Sequence, residues 1–431
     1  MSVQTVSEGT AEARRVRRYH LVLIGVALLI VALSLVRVLA DATDLTSSGT
    51  FRAALGLAIP IGLAGLGGLW AERAGVVNIG LEGMMVLGTW FAGWAGYQWG
   101  PLAALVAGLL GGALGGLLHA VATVTFGVDH IISGVAINLL GPGITRFLSE
   151  VLYREGTAAS EAGAGITTSP TLAEVPTVSV PLLSSGQDWL GDLESTHWFL
   201  LSDVAGMLRG LTRDVNVLAI LAVALIPLTY YVLWHTAFGL RLRSCGENPW
   251  AAESLGVNVY RTKYIATVIS GAFAGLGGVF LVFVTQKYVE GQTSGRGFIG
   301  LAAMIFGNWR PGGLAAGASL FGYADGLQLR SSQAVTGLFL FGALLLLGYA
   351  IMQARKAATA ANRTAGTYTA VAFAALGAVA LLWLWLTVDT LPNEFVFITP
   401  HVLTLLVLSV ASQRLRMPKA DGVRYRRGEQ H

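Results

Sequence analysis

The stretch "YIATVISGAFAGLGGVFLVFV", residues 264–284, carries no charged side chain from end to end. An α-helix crosses the apolar core of a bilayer with about 20 such residues, whereas a barrel strand needs only about 10. A run this long and this uniformly apolar reads as a membrane helix, because a helix satisfies its own backbone hydrogen bonds in lipid. Its glycines and alanines let neighbouring backbones approach closely there.

Similar elements recur near 21–40, 51–71, 77–97, 102–124, 130–150, 216–236, 298–307, 312–330, 336–353, 367–388 and 396–412. The chain is 54% hydrophobic and 12% charged, whereas soluble domains are about 25% charged. The expected fold is an all-α polytopic membrane protein with about 10–12 transmembrane elements. The element at 298–307 is too short to span and is expected to be a half-helix or one limb of a re-entrant pair. The run at 21–40 exceeds the apolar region of an ordinary signal peptide, so it reads as a retained first span.

The net charge of +4 reads as loop anchoring by cations rather than as affinity for nucleic acid. Starting inside, the path places the basic clusters at 14–18, 241–263, 355–363 and 414–427 in the cytoplasm, and the acidic segment 151–215 outside. The domain reading follows: a basic cytoplasmic N-terminus (1–20), a transmembrane domain (21–412), and a basic cytoplasmic tail (413–431). Within the second lie an extracytoplasmic insert (154–214) and a cytoplasmic loop (241–263). The insert is either a long connection or a docking element, and its end, "STHWFLLSDVAGMLRGL", looks amphipathic enough to lie on the membrane surface.

"AGLGG" occurs at 64–68 and again at 274–278, and each copy is followed by an echo, "IGLEGMMVLG" at 79–88 and "IGLAAMIFG" at 299–307. The two copies run in opposite directions through the membrane, as in an inverted-topology repeat of a transporter. Of the polar residues in the apolar elements, three stand out, and Asp325 and Glu82 are the main isolated acids. Asn78 and Glu82, four apart, are expected on one helix face. Glu82 either pairs with Arg73 or fixes the inner helix end, or else it shapes the path or gate. Asn138, beside the Gly141-Pro142 break, is a path or packing residue. In "FGNWRPGG", 306–313, Pro311 and its glycines end a helix and Arg310 anchors the turn. Trp90, Trp94, Tyr97 and Trp99 read as an interfacial belt.

Candidate chemistry is sparse. The histidines, His119, His130 and His235 among them, show no metal spacing, and the lone Cys245 has no partner for a disulfide. No nucleophile–base pair marks an enzyme, and neither a metal nor another cofactor is expected. No Gly-Lys-Ser/Thr exists to cradle phosphates, and no chain of intramembrane acids marks a proton relay. A transporter so equipped draws its energy from another subunit, which needs a handle. "SCGENPWAAESLGVN", 244–258, supplies one. Asn248-Pro249 starts a short helix, Trp250 and the two alanines offer a contact face, and Gly256 ends it.

"GENPWAAESLGVNVYRTKYIATVISGAFAGLGG" resembles the coupling segment and following helix of ABC importer permeases of the branched-chain amino acid, simple-sugar and nucleoside type. "AERAGVVNIGLEGMMVLG" and "GRGFIGLAAMIFGNWRPGG" are similar to two further signatures of that family. The pattern over roughly 51–353 looks closest to the nucleoside members. The resemblance implies a non-catalytic membrane subunit that passes a nucleoside or related small polar solute by alternating access. It also implies an ATPase subunit docked at 246–258, a second and different permease chain, and an extracytoplasmic solute-binding protein. Glu247, Asn248, Ala251, Ala252 and Gly256 match the coupling motif, and Asn78, Glu82 and Asn138 fall to the substrate path. The implied location is the bacterial cytoplasmic membrane. An ion-coupled secondary transporter is the alternative. The insert at 154–214 and the tail lie outside the resemblance.

Overall fold

The apolar runs fold as helices in the computed structural model, which describes residues 20, 23–153, 168–179, 188–330, 332–359, 365–388 and 415–428. Seven of the described helices are long and apolar enough to cross a membrane. The expected element at 396–412 lies outside the described residues.

The chain forms two compact units. The larger comprises 53–178, 214–325 and 400–431. It holds most of α2 (Ser48–Arg73), then α3 (Leu81–Trp99), α4 (Pro101–Ala120) and α5 (His130–Leu152). After a two-stranded ribbon, β1 (Thr177–Val178) with β2 (Val215–Asn216), come α8 (Val217–His235), α9 (Ala237–Glu247) and α10 (Pro249–Ser254). The unit continues with α11 (Val259–Thr285), α12 (Arg296–Phe306) and most of α13 (Pro311–Arg330).

Helix α11 is its axis, packed on α3 and α4. A methyl group at Gly112 would collide with the Gly271 carbonyl and the Gly275 backbone, so α4 and α11 cross with no side chain between them. Burial separates the central helices from the peripheral ones. The most apolar windows of α2 and α11 are 72% buried and that of α8 only 22%, leaving α8 a broad face for lipid. Helix α12, 11 residues long, is too short to span, as expected.

The smaller unit comprises 1–52, 179–213 and 326–399. In it, α1 (Leu23–Leu39), α6 (Trp189–Ser195), α7 (Leu201–Thr212), α14 (Ser332–Thr359) and α15 (Ala365–Thr387) are described. Helix α7 is amphipathic with an unexpected content to its buried side. Asp203 turns inward to an ion pair with Arg37 (2.8 Å) and accepts from Thr46 Oγ1, while Leu208 and Leu211 stay exposed.

A sequence expectation gives way. The helix expected over 77–97 begins only at Leu81, so Asn78 and Glu82 do not share a helix face. The Asn78 side chain accepts the Gly80 N–H (3.0 Å), a local bond that competes with helix formation. Within the aromatic group, Trp99 is exposed but Trp90 is not. Trp90 donates to Ser149 Oγ (2.9 Å) and packs with Trp94 and Tyr153, because its ring and its N–H both find partners inside.

Candidate functional site

The polar interlude between α9 and α11 folds as the sequence predicts. Asn248 caps α10, accepting from the Ala251 N–H (3.0 Å), and Pro249 opens the helix. Gly256 ends it in the left-handed region at φ +84°, and Asn258 caps α11 through the Arg261 N–H (3.0 Å). The contact face differs from the expected one. Trp250 and Ala252 turn inward to pack with Cys245, Val259 and Tyr425. The outward surface is Ala251, Ser254, Gly256 and the 85% exposed Leu255. Glu247 is exposed beside the Lys419 backbone (3.5 Å).

A second constellation gathers where the backbone leaves α2 and runs without helix to α3. Asn78, fully buried, donates to Ser270 Oγ of α11 (2.8 Å). Asn138 accepts from Gly83 N (2.8 Å) and donates to Ile79 O (2.9 Å), pinning α5 to the same break. Glu82 does not meet Arg73. Its two carboxyl oxygens accept the backbone N–H groups of Gly295 (2.9 Å) and Gly297 (2.7 Å) at the start of α12. An acid there satisfies donors that a helix leaves unpaired and complements the helix dipole. Arg73 instead donates twice to Trp309 O (3.1 and 2.7 Å), while Trp309 Nε1 donates to Glu72 (2.6 Å). The structure thus joins all three path candidates at one break, each committed to backbone or helix contacts.

His119 and His130 also meet here, their rings 6.4 Å apart. His119 bonds Ser133 Oγ (2.8 Å) and Val77 O (2.9 Å), and His130 Nδ1 accepts from Val77 N (3.2 Å). The two read as isolated in sequence because the fold, not their spacing, brings both to Val77 in the non-helical segment between α2 and α3. Among the described residues no group of three His, Cys, Asp or Glu side chains could hold a metal ion.

The family model for the permease component of the branched-chain amino acid transport system matches residues 51–349. The chain belongs to this permease family. The guanosine ABC transporter permease protein NupQ of Bacillus subtilis is 32% identical to the permease over 385 residues, covering 88% of this chain and 96% of that protein. The nucleoside ABC transporter permease protein NupC of Lactococcus lactis is 31% identical over 375 residues, covering 85% and 93%. The guanosine ABC transporter permease protein NupP of Bacillus subtilis is 27% identical over 274 residues, covering 61% and 69%. No solved structure matches the permease.

Sequence reasoning passed over a third group, in the tail of the permease beyond the matched residues. Ala420 N donates to Gly246 O (2.8 Å), and Arg416 N donates to Asn308 Oδ1 (2.7 Å). At Gly75, where φ is +80°, a Cβ would stand 3.0 Å from Ala420 O and 3.2 Å from Gly246 Cα, so three backbones converge. The Asp421 carboxyl lies beside that of Glu72, both its oxygens buried with no hydrogen-bond donor in reach among the described residues. Burial, and then the neighbouring Glu72 charge, push the Asp421 carboxyl up to about 9. The available signal was the single acid, Asp421, inside the basic run from Arg414 to Arg427, followed at once by a glycine.

Proposed function

We propose that this permease is the membrane-spanning, non-catalytic subunit of an ABC importer that carries a nucleoside or related small polar solute into the cell by alternating access. The observation that carries the reading is the likeness to guanosine and nucleoside permeases over nearly their whole length. An ATPase subunit docks at 246–258, with Glu247, Asn248, Ala251, Ala252 and Gly256 forming the coupling segment. Within it Asn248 shapes the helix, Ala252 seats it, and Ala251 and Gly256 face the partner. Two different Bacillus subtilis proteins named as guanosine permeases resemble this chain, which supports pairing with a second, different permease. An extracytoplasmic binding protein delivers the solute.

The domain division stands with this proposal: termini and the 241–263 loop in the cytoplasm of a bacterium, and 154–214 outside. Asn78, Glu82 and Asn138 act on the path by holding the backbone break between α2 and α3 against α5, α11 and α12. The test is uptake of tritiated guanosine by membrane vesicles holding the assembled transporter. Uptake is expected to require internal ATP and to survive an ionophore. Ionophore-sensitive uptake by this chain alone would overturn the reading in favour of ion coupling.

A further inference from the structure

The outward face of α10 is small, and its inward face rests on a segment that belongs to no membrane helix. Tyr425, 8% exposed, lies against Trp250 (ring centroids 6.0 Å) and Tyr260 (5.3 Å), closing the cluster that seats Ala252. Arg427 pairs with Glu253 on α10 at 3.0 Å. Upstream in the same tail, Ala420 and Pro418 are buried, and Ala420 bonds the end of α9. The Asp421 carboxyl lies beside Glu72, the residue that Trp309 also holds from the turn between α12 and α13. Lys263 of α11 donates to Gly75 O (3.3 Å) at the same junction.

From this juxtaposition we propose that residues 415–428 are the backing plate of the coupling helix. Tyr425 and Arg427 are positioning residues that hold α10 with Leu255 outward, and Ala420 ties the tail to the end of α9 beside Gly75, the turn that follows α2. The inference rests on the docking reading given above. A six-residue helix has no stability of its own; its orientation is set by what it packs on. With the tail in place, a push on Leu255 meets Tyr425 and is passed through Ala420 to the end of α9 and the turn after α2. Without it, α10 would pivot on its two flanking caps.

The experiment measures affinity of the purified full-length permease for its ATPase subunit, together with ATP hydrolysis and thermal stability of each variant. Tyr425→Ala, which removes the ring contacts with Trp250 and Tyr260, is expected to weaken ATPase binding about twofold to tenfold, the shift that an aromatic pair corresponds to. Tyr425→Phe keeps the ring contacts and is expected to bind as wild type. Should Tyr425→Ala fail to fold, the exposed charge pair decides. Arg427→Glu and Glu253→Arg are each expected to weaken binding about twofold, and the double reversal to restore it. A merely structural tail would change stability without changing affinity or showing that rescue. Unchanged affinity in these variants, with affinity lost in Gly256→Arg, would overturn the backing role and leave the docking reading standing. Full affinity in Gly256→Arg would overturn the docking reading, and the backing role with it.

Discussion

Replacing Glu82 tests whether one carboxyl group holds the start of α12. Its oxygens accept the Gly295 and Gly297 N–H groups at 2.9 and 2.7 Å, and the side chain is 9% exposed. Hydrogen bonds to charged groups contribute about 1.5–3 kcal/mol each. Glu82→Ala, which leaves both donors buried and unpaired, should therefore cost about 3–6 kcal/mol. Glu82→Gln keeps one acceptor but turns an amide N–H₂ toward the second donor, so about half of that loss is expected. The single cysteine supplies the assay. Cys245 is fully buried, and burial pushes its thiol above the ordinary range, so a thiol-reactive fluorogenic dye labels it only as the fold opens. Heating detergent-purified protein with the dye should give midpoints in the order wild type, Glu82→Gln, Glu82→Ala. The reasoning is refuted if Glu82→Ala unfolds with the wild type, or if the two variants unfold together.

Three further outcomes are expected. Asp421, whose carboxyl is raised from 3.8 to about 9, binds a proton in the folded protein over a range where the unfolded chain has lost it. The tail's hold is therefore complete below about pH 4 and declines as pH rises toward 9. Glu72 from α2 opposes the anion, while Lys263 from α11 and Arg73 favour it. Hydrogen–deuterium exchange of 419–425, corrected for intrinsic rates, should show protection falling with pH in the wild type but not in Asp421→Asn. Asp203→Ala strands the 8%-exposed Arg37 without its ion-pair partner and should cost about 3–5 kcal/mol of local stability, read as lost hydrogen–deuterium exchange protection of 201–212, more than Thr46→Val. Gly112→Leu, which drives a side chain into Gly271 and Gly275, should abolish monodisperse protein on size-exclusion chromatography, whereas Gly143→Leu, which meets nothing within 4 Å, should not.

Much of this molecule was legible in one dimension, and the reason is that lipid removes choices. A run such as 264–284 has no way to satisfy its backbone except as a helix, so the α-helical character and most element positions follow from apolar length alone. The short helix α10 was legible because its signals are local: Asn248 and Pro249 start it and Gly256 stops it within a few bonds. The family resemblance was legible because it lies in contiguous motifs. The direction in which α10 faces was not, since a six-residue helix carries no strong periodicity and Tyr425, which decides it, lies more than 150 residues further along. Glu82 shows the same limit. Its composition-level reading offered Arg73, close in sequence, whereas its partners are the N–H groups of Gly295 and Gly297. The amino-acid sequence by itself determined which segments are long and apolar enough to cross a membrane and where the caps of α10 fall, because those depend on transfer energies and local backbone bonds. Only the tertiary structure decided which buried polar group meets which, because a satisfied partner can come from any distance along the chain.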